Sequence, residues 1–163
     1  MSSYTPIASQ TLGSAASSVT FSGIPQDYKD LVLVASFTSA VANNDVRCTV
    51  NGDSGTNYSY TRMSSDGTNA TSGRVTNQSF FAQYYIIGTS TNPQIITWNL
   101  IDYSNTKTYK TILSRISTGD KETNAAVGLW RSTSPITSIT FTNAGNNSPA
   151  QFSSGSIFTL YGI

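Results

Sequence analysis

Histidine is missing from this sequence of 163 residues, glutamate occurs once, at Glu122, and cysteine once, at Cys48. Each absence removes a class of function. Without histidine the chain lacks the side chain best placed to move protons near neutral pH and the commonest metal ligand. One cysteine cannot form a disulfide within the chain. Cys48 sits in the alternating run Asp45-Val46-Arg47-Cys48-Thr49-Val50, which reads as a buried small hydrophobe rather than a reactive thiol. Charged residues make up 10% of the chain, against roughly 25% in an average soluble domain. The net charge of +1 supplies no field toward nucleic acid or an anionic membrane. No apolar run approaches the length of a membrane span. Met1-Ser2-Ser3-Tyr4-Thr5-Pro6 lacks the basic start and apolar stretch of a secretory signal. No CxxC, P-loop or dinucleotide fingerprint is present. The residues imply no cofactor.

Hydroxyls and β-branched side chains fill the space these absences leave. Serine and threonine number 49, and Val, Ile and Thr together 44. Sixteen residues are Tyr or Phe, enough large side chains to fill a two-layer core. Such a composition favours extended chain and argues against disorder. The length fits one domain, 1–163, in which residues 1–12 form an N-terminal arm or edge strand.

Alternating and apolar runs bounded by turn signals predict ten or eleven strands. They are Tyr4–Leu12, Ser18–Ser22, Leu31–Phe37, Val46–Val50, Tyr58–Met63, Ser79–Gly88, Ile95–Ile101, Thr108–Ile116, Ala126–Arg131, Ile136–Thr142 and Ser156–Tyr161. The continuous apolar run Leu31–Phe37 predicts a central strand covered on both faces. Asn51-Gly52-Asp53 is a hairpin-type turn signal, and Asp102–Asn105 should join a second hairpin. The polar stretch Ser64–Gln78 reads as a long exposed loop, and Thr118–Asn124 as another. No segment carries helical periodicity. These readings give an all-β antiparallel sandwich, with a jelly roll preferred to an immunoglobulin-like fold because the strands exceed seven and the Cys-Trp-Cys pattern is absent.

The residues offer little chemistry. Paired carboxylates cleave glycosides, and the candidates are Asp27, Asp30, Asp45, Asp53, Asp66, Asp102, Asp120 and Glu122, but Asp45, Asp53, Asp66 and Asp120 sit directly beside Gly, Asn or Ser, and turn hydrogen bonds are the expected role of the set. Asn51–Asn57 carries oxygen ligands suited to calcium without the regular carboxylate spacing of an EF-hand loop, and a plain turn fits it better. Trp98 reads as core. Trp130 and Arg131 are candidate interface or ligand contacts, since both types are enriched at interface centres, although Trp130 follows Val127-Gly128-Leu129 and fits a core position as well. Tyr84 and Tyr85 are a second candidate contact pair; they, like Tyr58 and Tyr60, could stack on sugar rings, although ordinary packing on a sheet face fits both pairs better.

Four stretches carry a resemblance: Ser3–Gly13, Asn51–Ser59, Asp102–Thr111, and Val127–Thr133 together with Phe158–Ile163. With these the sequence resembles a family of small virion proteins of tailed bacteriophages, common among aquatic phages. The likeness runs along nearly the whole chain. It implies a non-enzymatic structural protein located in the virion, without nucleic-acid or membrane partners. Two roles follow from it. One is a capsid decoration, or cement, protein that binds the major capsid protein or other virion proteins of the assembled head as a homotrimer. The other is a tail-fibre or appendage module that binds host-surface carbohydrate. The lack of a coiled-coil or fibrous stalk ahead of the β-rich region favours decoration. On that reading Ser2–Leu12 would pair with a neighbour's sheet edge, and several weak patches would act together.

Overall fold

The computed structural model describes residues 3–39, 44–86, 92–118, 123–145 and 150–163. Twelve strands are present: β1 (Thr5–Thr11), β2 (Ser18–Ser22), β3 (Leu31–Phe37), β4 (Asn44–Val50), β5 (Tyr58–Ser65), β6 (Ala70–Gln78), β7 (Phe81–Ile86), β8 (Gln94–Ile101), β9 (Lys110–Thr118), β10 (Thr123–Trp130), β11 (Ser138–Gly145) and β12 (Ile157–Gly162). The described residues contain no helix. All named pairings are antiparallel, in an eight-stranded sheet ordered β1-β12-β3-β8-β9-β10-β5-β6 and a four-stranded sheet ordered β2-β11-β4-β7. With the β5–β6 and β9–β10 pairs set aside, the rest order as β1-β12-β3-β8 and β2-β11-β4-β7. That two-sheet order is compatible with a jelly roll. The two added pairs widen only the first sheet.

The alternating strands turn their apolar sides inward and form one core. Trp98 is fully buried at its centre, edge-on to Phe81 at 4.8 Å and to Phe141 at 5.3 Å. A second aromatic group joins Phe37, Phe152 and Phe158. Cys48 is buried and its thiol pushed far up by desolvation, which leaves it an inert small hydrophobe. Gly128 is required by close approach. A Cβ there would lie 2.0 Å from Phe81 Cδ2, so the ring occupies the space a side chain would need.

Three sequence readings need correction. The stretch Ser64–Gln78 is not a loop: β5 runs on to Ser65 and β6 begins at Ala70. Only Asp66–Asn69 turns, with Asp66 Oδ1 accepting from the Thr68 and Asn69 N–H groups at 2.9 and 2.6 Å. β6 is an edge strand exposed along most of its length, so neither face imposes an apolar alternation. The Asn51-Gly52 turn is also not a hairpin within one sheet. Asn51 and Gly52 have φ of 52° and 66°, and the Asp53 N–H donates to the Val50 carbonyl at 2.9 Å, the backbone of a two-residue primed turn. Yet β4 belongs to the small sheet and β5 to the large one, so the turn carries the chain between layers. Finally, β3 is central but its outward face is only partly covered. Its inward residues are buried, and on the outward side Val32 is buried whereas Val34 and Ser36 are half-buried. The hairpin expected at Asp102–Asn105 is present between β8 and β9. The loop expected at Thr118–Asn124 falls partly within residues 119–122, outside the described residues.

Candidate functional site

Trp130 ends β10 and faces inward, 3% exposed. Its indole N–H donates to Asp53 Oδ2 at 2.6 Å. The same carboxylate accepts from the Asn57 amide at 2.9 Å, and its other oxygen accepts from the Gly55 N–H at 2.8 Å. Burial alone would raise the Asp53 carboxyl, but these three donors outweigh it and hold it below the usual carboxylate range. Arg131 completes the clamp. Its N–H donates to the Asn57 carbonyl at 2.9 Å, and its guanidinium donates to the Thr56 carbonyl and, at 3.0 Å, to Asn77 Oδ1. Asn51 fixes the other flank, giving its amide to the Pro135 carbonyl at 2.7 Å and accepting from the Thr137 N–H at 2.8 Å. Within the single chain, then, Trp130 and Arg131 hold the interlayer crossing in place. Burial removes the Trp130 ring from the surface where an interface or ligand contact would meet it. Tyr84 and Tyr85 lie on β7, and their side chains are outside the described residues. Tyr58 and Tyr60 are buried in the core.

Asp102, Asp30, Asp66 and Asp45 are engaged in a similarly local way. Asp102 accepts from Lys29 Nζ at 2.6 Å and from the Asn105 amide at 2.5 Å, which lowers its carboxyl. Asp30 accepts from the Asp102 N–H at 2.6 Å. Asp66 is lowered by the backbone N–H groups of its own turn. Asp45 is buried beside Arg47, 3.4 Å away. Lys110, also buried, donates to the carbonyls of Thr108 and Thr133 at 2.9 and 3.3 Å, and burial lowers its ammonium. Among the described residues, no group of three or more His, Cys, Asp or Glu side chains is placed to hold a metal ion.

What stays open is a surface. Seven large hydrophobic side chains are exposed among the described residues: Tyr4, Met63, Ile95, Ile101, Tyr109, Val127 and Ile157. The register places Met63, Ile95, Ile101, Val127 and Ile157 on the outward face of the eight-stranded sheet, and Tyr4 directly precedes its edge strand β1. Part of this face is a trough of about 810 Å³. It spans β8, β9, β10, β5 and β6, or roughly 19 Å at the usual strand spacing. One row across it reads Ile95, Ser117, Thr123, Ser65, Ala70, and the next reads Thr97, Arg115, Ala125, Met63, Ser72. Small side chains in the middle leave the hollow, and Ile95 forms a rim. Arg115 and, one row on, Arg74 are the charges on this face among the described residues, with no carboxylate. Sequence reasoning missed the trough because it is assembled from five strands, one of them taken for a loop.

No family model matches the sequence, and no curated protein matches it. Solved structures give distant likenesses. An alginate lyase, solved as a double mutant with an alginate tetrasaccharide, shares 8% identity over 95% of this chain and 79% of its own, with a TM-score of 0.34. A ruminal GH26 endo-beta-1,4-mannanase shares 8% over 99% of this chain and 21% of its own, with a TM-score of 0.16. Superpositions this loose bear on neither fold nor function.

Proposed function

We propose that this protein works by contact, as a structural protein of a tailed-phage particle, and specifically as a decoration protein that binds the assembled head as a trimer. The observation that carries the contact reading is the outward face of the large sheet. Six of the seven exposed large hydrophobic side chains lie on that face or at its edge. An apolar concentration of this kind on a weakly charged chain marks an interaction surface. The carboxylates described above are engaged in turns and strand ends, which suits a rigid scaffold better than an acid–base site. The placement in a virion is supported by the family-like stretches Ser3–Gly13, Asn51–Ser59, Asp102–Thr111 and Val127–Thr133. The low charge agrees with it, because many copies can crowd on one shell without mutual repulsion.

The test is direct. Purified protein is added to isolated DNA-filled heads lacking it, and binding is followed by co-sedimentation and located by electron microscopy. Saturable binding at a repeated head site is the expected result. Absence of head binding overturns the decoration role. Binding to host cells or to glycan arrays instead would favour the tail-appendage role, although no aromatic ring lines the trough.

A further inference from the structure

The trough on the large sheet has the dimensions of a ligand site. Its volume of about 810 Å³ falls within the roughly 300–1,000 Å³ usual for such sites. It is also long and narrow. It crosses five strands, or about 19 Å, while its outward-facing lining residues fall in two rows about 7 Å apart along the strands. The two rows differ in character. One carries three hydroxyls side by side on adjacent strands, Ser117 of β9, Thr123 of β10 and Ser65 of β5. The other sets Arg115 beside the small Ala125, with Met63 beyond it. A ligand laid across the strands would meet hydroxyls along one flank, a low aliphatic floor and one guanidinium.

That guanidinium is unspent. Among the described residues the ion pairs join Lys29 to Asp102 and Arg47 to Asp45, and the exposed Arg115 takes part in neither. Asp66, just past Ser65, turns its oxygens to Thr68 and Asn69 of its own hairpin. A guanidinium holds a carboxylate or a sulfate through parallel N–H donors, so the trough suits an anionic group over β9 with further oxygens beside it. We infer that the trough binds a linear acidic oligosaccharide lying across the strands. Its carboxylate or sulfate sits on Arg115, its ring hydroxyls on Ser117, Thr123 and Ser65, and a C–H face over Ala125.

Other occupants fit less well. An extended peptide repeats every 3.4 Å or so, out of step with strands about 4.8 Å apart. A pyranose chain advances by about one strand spacing per sugar, so successive sugars meet equivalent positions on successive strands. A nucleic acid presents a phosphate at every nucleotide, more than one guanidinium on a chain of net charge +1 can neutralise. A neutral glycan would leave Arg115 unpaired and finds no aromatic ring in the trough to stack on. Ile101, Val127 and Ile157 lie outside the trough, so an occupied trough leaves them for the contacts proposed above. The inference does not rest on the head-binding reading.

Isothermal titration calorimetry on the full chain tests it with two charged tetramers, a galacturonate and a κ-carrageenan. Each is paired with its neutral counterpart, the methyl ester of the first and the desulfated form of the second, and the pairs tell carboxylate from sulfate. Saturable binding of at least one acid at one site per chain is the expected result, with its neutral counterpart weaker by about tenfold or more. Arg115→Gln should weaken binding by a similar factor, and so should Ala125→Leu, which fills the floor. Lys107→Gln removes the same charge at the other end of β9 and should leave binding unchanged. All three positions are exposed, and unchanged thermal melts confirm that each variant folds. Failure of both acids to bind, equal binding of an acid and its neutral form, or wild-type affinity in Arg115→Gln would each overturn the site. So would a Lys107→Gln protein weakened as much as Arg115→Gln. Head binding without acidic-glycan binding would sink this inference while leaving the decoration role standing. Glycan binding by a protein that ignores heads would do the reverse.

Discussion

Asp53 shows how one side chain can organise a crossing between layers. It gathers Trp130, Asn57 and Gly55 onto two oxygens, so removing it leaves the buried Trp130 N–H without its acceptor. Hydrogen bonds to an ionised group contribute more than neutral ones. Asp53→Ala should therefore cost about 2 kcal/mol in urea unfolding, with Asp53→Asn costing less. Trp130 reports the change directly, since its indole fluorescence should shift in both variants while the core of Trp98 is undisturbed. A variant as stable as wild type would show that the clamp carries no net energy. Gly128 makes a second demand at this scale. Gly128→Ala forces its methyl into Phe81, itself packed on Trp98 and on Tyr60 at 5.4 Å. Overpacking of this kind costs roughly 1–3 kcal/mol, and the denaturation midpoint should fall accordingly. The Asp53 turn was legible in the sequence as turn chemistry, because Asp beside Gly and Ser makes local hydrogen bonds. Its partner was not, since Trp130 lies 77 residues away and an aromatic beside an arginine reads equally well as a surface contact.

Strands were legible where an apolar period of two existed and lost where it did not. Ser18–Ser22 and Leu31–Phe37 alternate or run apolar because one face of each packs on the core, and both coincide with β2 and β3. β6 has no such record. Its sequence, Ala-Thr-Ser-Gly-Arg-Val-Thr-Asn-Gln, is polar on both sides because water meets most of it, and only Val75 packs against the core. What makes it a strand is its backbone ladder with β5 and the Asp66 turn. Which turns stay within a sheet was equally hidden, since Asn51-Gly52 and Asp102–Asn105 look alike locally and differ only in where the following strand packs. The consequence is measurable by amide hydrogen exchange. β9 lies between β8 and β10 with alternate residues buried from Lys110 to Thr118, and its amides should be among the slowest to exchange. β6, paired on one side and interrupted by a shift in register, should exchange through local opening well before global unfolding. Equal protection in the two strands would contradict a peripheral β5–β6 pair.

For the whole molecule, the missing histidine sets the shape of stability against pH. A stability curve bends only where folded and unfolded states bind different numbers of protons. With no imidazole in the chain, no side chain has an ordinary titration range between pH 5 and 7. The perturbed groups lie outside that window on both sides. Asp53, Asp66 and Asp102 are held below the usual carboxylate range. Their stabilisation is therefore fully present above the unfolded value near 3.9 and lost as pH falls toward the folded ones. Cys48 and Tyr58 are raised by burial. Their contribution is intact below the unfolded thiol value near 8.5 and lost as the unfolded chain ionises above it. Lys110, lowered by burial, works in the opposite sense at the alkaline end, where Tyr103, raised by burial, and Lys29, raised by its bond to Asp102, act with Cys48 and Tyr58. Urea midpoints measured at pH steps from 3 to 10 should thus be flat from about 5 to 7, fall on the acid side below about 4 and decline again above about 8.5. A bend near pH 6 would require a proton acceptor that this composition does not supply. The plateau also bears on assembly. If the apolar outward face of the large sheet holds the copies together, the oligomer should persist across the same pH range and survive 1 M salt, where the Debye length is roughly 3 Å. Dissociation by salt at constant pH would move the weight of the contact from that apolar face to charged groups.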